Sequence, residues 1–174
     1  MIPLAVTILN WNGWEDTIEC LESILNSSLD KFIIILIDNG SEDESINKIL
    51  EWFEKYPHDL NSIHEIEGSE YIDNVIPDLP KVNKSRQRNL LFIKNKENLG
   101  YAVSNNLGIR LAIKYACEKV LLLNNDTIVQ SDSLELLTRF LDKDNRYSIL
   151  TPVICHHDEP NQIWNAGGKL TWWG

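Results

Sequence analysis

Phe32-Ile33-Ile34-Ile35-Leu36-Ile37 is an unbroken apolar run, largely β-branched, that stops at Asp38-Asn39-Gly40. A strand with one wet face alternates apolar and polar residues, and this one does not. The run therefore predicts a central parallel strand covered on both faces. The rest of the chain has to supply the covers.

It supplies them in alternation. Leu4 to Leu9 is a short β-favouring run, broken by Asn10-Trp11-Asn12-Gly13. Asn12 with Glu15 fits an N-cap and capping box, and Trp14, Ile18, Leu21 and Leu25 recur at helical spacing to about Asn26. After the central run, Ser41 to Glu44 reads as a second capping box, and Ile46, Ile49, Leu50 and Phe53 form the apolar face of a second helix. Leu90 to Lys94 is a strand, Asn98-Leu99-Gly100 a turn, and Val103, Leu107 and Leu111 mark a helix to about Cys117. Val120 to Leu123 is the next strand. Asp132 with Glu135 can cap a helix buried through Leu134, Leu137 and Leu141. Ser148 to Ile154 is read as a last strand, edge-like or bulged because of Pro152.

Between Pro57 and Arg88 the periodicity fails, with Pro57, Pro77 and Pro80 among many charges. The expectation for residues 57–88 is an irregular insertion with room for a small hairpin and no assignable function. The whole is an α/β fold: a mostly parallel central sheet with helices on both faces, occupying residues 1–154. Residues 155–174 then begin a separate region.

The totals exclude several classes. A chain of 174 residues suits one domain. A net charge of −10 argues against a nucleic-acid surface. Met1-Ile2-Pro3-Leu4 lacks the basic start of a signal peptide, and no apolar stretch approaches the ~20 residues of a membrane span. Cys20, Cys117 and Cys155 read as reduced core thiols, so a cytoplasmic setting is expected. His156-His157 reads as a solvated pair.

Ligands of such sheets bind beyond the carboxyl ends of the strands. Asn10-Trp11-Asn12, Asp38-Asn39, Asn98-Leu99-Gly100 and Asn124-Asn125-Asp126 all fall on that edge. The last triplet offers hard oxygen ligands of the kind Mg²⁺ or Mn²⁺ on a nucleotide diphosphate requires, or else it is only a polar turn. The G-x-G-x-x-G fingerprint and the P-loop are both absent, which makes a metal the expected neutraliser of phosphate. Asp38 can accept from a base or ribose donor, or close an Asx turn. Trp11 can lie against a base, or belong to the core.

Val6 to Asn12, Ile37 to Asp43, Asn98 to Ile109 with its Asn105-Asn106-Leu107-Gly108, and Leu123-Asn124-Asn125-Asp126-Thr127 together resemble the family 2 glycosyltransferases, in order and spacing. The similarity is to the rhamnosyltransferase-like branch, where the metal motif often reads Asn-x-Asp. It spans Leu4 to Ile154 apart from the 57–88 stretch. The resemblance implies a GT-A fold and inverting transfer of a sugar from a nucleoside diphosphate sugar, such as dTDP-rhamnose, to an acceptor hydroxyl.

Carried over residue by residue, Asp38 would hold the base, with Leu9, Asn10 and Trp11 lining its pocket. Asn98, Gly100 and Asn105 would flank the nucleotide sugar. Asp126 would bind Mg²⁺ or Mn²⁺, with Asn124 and Asn125 positioning ribose or phosphate. Asn124 stands where the common motif has a carboxylate, which lowers the local charge. The family normally continues well past the equivalent of Gly174, so the general base and most of the acceptor site are expected in a part beyond it. The implied acceptor is a saccharide or glycolipid, with peripheral association at the inner face of a membrane. The ending Trp164 to Gly174, with Trp172-Trp173, reads as the start of the acceptor region and as an apolar tail through which chains could associate.

A binding-only fragment without the general base is the alternative. A nucleotidyltransferase ranks last, because Asn10-Trp11-Asn12-Gly13 is no Gly- and Arg-rich phosphate loop.

Overall fold

The computed structural model describes residues 2–55, 60–67, 86–144 and 146–168. Strands β1 (Ile2–Asn10), β2 (Lys31–Asp38), β3 (Ser62–Glu67), β4 (Gln87–Lys94) and β5 (Cys117–Asn124) form one sheet in the order β3-β4-β2-β1-β5. Every neighbouring pair is parallel. The helices are α1 (Trp14–Leu25), α2 (Ser45–Lys55), α3 (Tyr101–Lys114) and α4 (Ser133–Lys143). A small antiparallel pair, β6 (Ile154–Cys155) and β7 (Ile163–Asn165), stands apart from the sheet.

The residue parity of β2 explains its unbroken run. Phe32, Ile34 and Leu36 join Cys20, Leu21 and Ile24 of α1, Ile49 and Phe53 of α2, and Leu134 of α4 in one core. Ile33, Ile35 and Ile37 face the other way and pack with Leu107, Leu111 and Ala112 of α3. Both faces are dry, so polar residues have no place to alternate. Each of these isoleucines is fully buried, worth about 1.5–3 kcal/mol relative to exposure. On β1, a Cβ at Gly108 would collide with the Thr7 side chain, so glycine there is what lets α3 lie close.

Arg88 of β4 is buried at the opposite end of the sheet from the polar strand ends. Its Nη1 donates to the Leu25 carbonyl at 2.7 Å, and its Nη2 to the carbonyls of Ser27 at 2.7 Å and Leu29 at 2.8 Å. These carbonyls belong to the last residue of α1 and the turn after it, where helix acceptors are left open and a cation is favoured.

Several expectations need correction. Part of the 57–88 stretch is regular: Ser62–Glu67 is an edge strand, and β4 begins at Gln87. The two are clamped at Asn61, whose N–H donates to the Arg88 carbonyl at 2.7 Å and whose Oδ1 accepts from Arg88 N–H at 2.8 Å. Such pairing is set by a distant partner, which local periodicity does not report. Pro57, Pro77 and Pro80 lie outside the described residues, as does the end of the chain from Lys169, with Trp172 and Trp173.

The strand expected over 148–154 shrinks to Ile154–Cys155, with a register irregularity at that point. Proline has no N–H to give a ladder. The expected capping boxes do not form either. Gly13 and Asp132 occupy the N-cap positions of α1 and α4 without a side-chain cap bond. Asn12 has φ 53, and its Oδ1 accepts from Glu42 N–H at 2.8 Å in the next loop. Asp43, two residues before Ser45, accepts that residue's N–H at 2.9 Å at the start of α2.

Among the described residues no helix is long and apolar enough to cross a membrane.

Candidate functional site

The strand register levels the carboxyl edge. Asn10 is opposite Asp38, Asp38 is opposite Lys94, and Leu9 is opposite Asn124. β2, β4 and β3 lie on one side of β1, and β5 on the other. The chain therefore reverses its direction of growth at β1, and the crevice between the ends of β1 and β5 is the topological switch point.

A hydrogen-bonded row crosses that point. Asp38 is fully buried, and its Oδ1 accepts from Asn10 Nδ2 at 2.7 Å and from the Ser41 hydroxyl at 2.6 Å. Its Oδ2 accepts from Ser41 N–H at 3.0 Å. Asn10, also fully buried, presents Oδ1 at 2.8 Å to the Thr17 hydroxyl. That hydroxyl is equally 2.8 Å from the Gly13 carbonyl, and it accepts from Asn125 Nδ2 at 3.0 Å. Asn125 Nδ2 also reaches the Gly13 carbonyl at 3.2 Å. Asp38, Asn10, Thr17 and Asn125 thus join the ends of β2, β1 and β5 through the first turn of α1.

A second network holds the α3 side. Asn39 Oδ1 accepts from Ser104 Oγ at 2.7 Å, Leu99 N–H at 3.1 Å and Asn95 Nδ2 at 3.2 Å. Its Nδ2 donates to Asn98 Oδ1 at 2.8 Å, which also accepts from Gly100 N–H at 2.8 Å. The loop before α3 is tied to the end of β2. Gly40, at φ 73, is what permits this approach, since a Cβ there would lie 2.5 Å from the Glu97 carbonyl carbon.

Asp126 is exposed at the mouth of an open cleft of about 160 Å³, shared with Asp16, Glu19 and Cys20 of α1 and with His157. Burial pushes the Cys20 thiol up to about 12; a backbone hydrogen bond at Thr127 opposes the rise and the nearby Asp126 carboxylate adds to it. Among the described residues no group of three or more His, Cys, Asp or Glu is placed to hold a metal. Asp126, with Asp16 and Glu19 in the same cleft, offers the hard oxygens that a Mg²⁺ held mostly by a ligand's own oxygens would take.

The expected site residues fall into different settings. Trp11 is 56% exposed at the rim, while Leu9 packs half-buried against the α3-side core. Asn10 is fully buried, with its carboxamide bonded to Asp38, Ser41 and Thr17. Asn98 and Gly100 are exposed, whereas Asn105 is buried in α3, where its Nδ2 donates to the Tyr101 carbonyl at 3.0 Å. Asn124 is exposed, and Asn125 turns its amide nitrogen inward.

Thr17 and Ser104 carry the networks and were not singled out from the sequence, while Asn39 was read only as part of the rim and Ser41 only as a capping residue. Thr17 left one trace: a polar residue one turn into α1 on the buried side of an otherwise apolar stripe.

Residues 5–76 match the model of the family described as Glycosyl transferase family 2. No curated protein matches the chain. Among solved structures, TarS 1-349 of S. aureus superposes with a TM-score of 0.54 at 14% identity, over 83% of this chain and 33% of that one. Its complex with UDP-GlcNAc gives 0.54 and 14%, over 83% and 32%; its complex with UDP gives 0.54 and 15%, over 83% and 33%. The fold is thus the GT-A type of α/β sheet. The chain spans about a third of the length of these structures.

Proposed function

We propose that this chain forms the donor-binding part of a glycosyltransferase that moves a sugar from a nucleoside diphosphate sugar to an acceptor hydroxyl with inversion. The row Asp38–Asn10–Thr17–Asn125, beside the exposed carboxylate of Asp126, carries the reading. A base and a diphosphate are the two ends of one ligand, and this row spans the ends of β2, β1 and β5 across the switch point where such ligands bind. The family-model match over 5–76 supports it, as do the TarS complexes with UDP and UDP-GlcNAc.

In this reading Asp38 receives the base. An ionised carboxylate has about four acceptor positions, and Asn10 and Ser41 leave one on Oδ2. Uracil and thymine share the imide N–H that would fill it, so UDP and dTDP sugars, dTDP-rhamnose included, are both admitted. Because Asp38 is fully buried, the base reaches it only when the Ser41 loop parts. Leu9 and the exposed ring of Trp11 flank that entry. Asn98, Gly100 and Asn105 approach from the α3 side, and Asn124 and Asn125 stand at ribose or phosphate.

Asp126 would hold Mg²⁺ or Mn²⁺, which when bound neutralises charge gathering on the departing diphosphate. Thr17 and Asn125 hold the loop that bears it. The acceptor is a saccharide or glycolipid hydroxyl at the cytoplasmic face of a membrane. An acceptor proton requires a base. A binding-only module without a general base is the second reading, favoured by the setting of Asp158, a carboxylate following the α4 region whose side chain lies 98% exposed beside His157.

Thermal-shift titration with UDP, dTDP and GDP, each with and without Mn²⁺, tests the reading. A ligand at 100 times its dissociation constant stabilises by about 2.7 kcal/mol. Stabilisation by UDP or dTDP that grows with metal is expected, and Asp126→Ala should lose the metal-dependent part while keeping its unliganded melting temperature. No shift with any nucleotide overturns the donor site. Wild-type behaviour in Asp126→Ala overturns that residue's role. Release of the sugar to an acceptor excludes the binding-only module.

A further inference from the structure

We propose that Thr17 is a positioning residue of this site, setting the distance between its base end and its diphosphate end. The inference rests on the donor-site reading above. The Thr17 hydroxyl bonds Asn10, Gly13 and Asn125 and so lies between the groups that hold Asp38 and Asp126.

The bonds at Thr17 are unequal in what they leave behind. Without the hydroxyl, Asn10 Oδ1 loses its donor, but Asn10 Nδ2 keeps its bonds to Asp38 at 2.7 Å and Ser41 at 3.1 Å, so the link from Asn10 to the base end stays in place. Asn125 keeps only the Gly13 carbonyl at 3.2 Å, and the Asn124–Asp126 loop loses its shorter tie to α1. The loss therefore falls on the diphosphate end. Gly13 offers an independent handle on the same contact, since a Cβ there would sit 3.1 Å from Asn125 Nδ2, close enough to oblige that amide to shift by a few tenths of an ångström.

This asymmetry separates positioning from plain stability. A nucleoside uses the base end alone, whereas a nucleoside diphosphate uses both ends and needs them at a fixed spacing. A general loosening of the fold would weaken the two ligands alike. Loss of registration weakens only the longer one.

The experiment is an NMR titration of wild type, Thr17→Val, Thr17→Ser and Gly13→Ala with uridine and with UDP plus Mg²⁺, alongside melting temperatures. Thr17→Val is expected to weaken UDP about tenfold and uridine less than about twofold, the scale of one lost buried hydrogen bond. Thr17→Ser should restore UDP affinity, and Gly13→Ala should reproduce the UDP-selective loss. Equal losses for both ligands, failure of serine to restore, or unchanged UDP binding in Thr17→Val overturns the positioning role while the donor site stands. A wild-type chain that binds neither ligand, nor thymidine and dTDP in their place, overturns the donor-site reading, and the role of Thr17 with it.

Discussion

The Ser104 hydroxyl donates to Asn39 Oδ1 at 2.7 Å, joining the first turn of α3 to the end of β2 across 65 positions of sequence. The same oxygen takes Leu99 N–H and Asn95 Nδ2, so one buried carboxamide organises the whole loop before α3. Polar groups buried in such a network contribute little while paired and cost much when a partner is removed.

Asn39→Ala is expected to lower unfolding free energy by about 2–4 kcal/mol, since it strands three buried or half-buried donors at once. Urea denaturation measures the loss. Hydrogen exchange should place it, with the amides of Leu99 and Gly100 accelerating more than those of β2.

Two glycines with similar φ should behave differently. Gly100 has φ 78 and ψ 163 with open space around it, so Gly100→Ala costs only the backbone conformation, about 1–3 kcal/mol. Gly40 has φ 73 and faces the Glu97 backbone at 2.5 Å, so Gly40→Ala adds a collision of about 1–3 kcal/mol to a similar strain. Denaturation midpoints of the two variants check the order. Equal costs would mean that the 96–98 backbone yields freely.

Stability should fall in alkali through the thiols. The folded Cys20 keeps its proton to about 12, whereas an ordinary thiol loses it near 9.0. Cys117 shifts the same way, to about 11, through burial. Above pH 9 the unfolded chain holds fewer protons than the folded one, so stability declines as pH rises. The contribution is complete below pH 9 and is lost on the way to the folded values, at up to about 1.4 kcal/mol per pH unit for each thiol. Urea midpoints between pH 8 and 10.5 should show a shallower decline in Cys20→Ala than in wild type.

By itself the sequence determined the layered architecture and the edge that carries the site. An apolar run without alternation has to be buried on both sides, and polar residues that end several such runs have to meet at one rim. Those statements need only local composition and the rule that parallel strands point one way.

Tertiary structure decided the rest. β3 pairs with β4 through a register that no local period announces. Asn12 abandons its own helix because, at φ 53, its side chain meets the amides of Glu42 and Asp43 instead. Beyond the local Gly13 carbonyl, Thr17 bonds partners 7 and 108 positions away and Asn39 one 65 positions away, brought near only once the strand ends are level. A short polar side chain reports what it could bond. Which donor or acceptor lies within 3 Å of it is settled by the packing of the whole sheet.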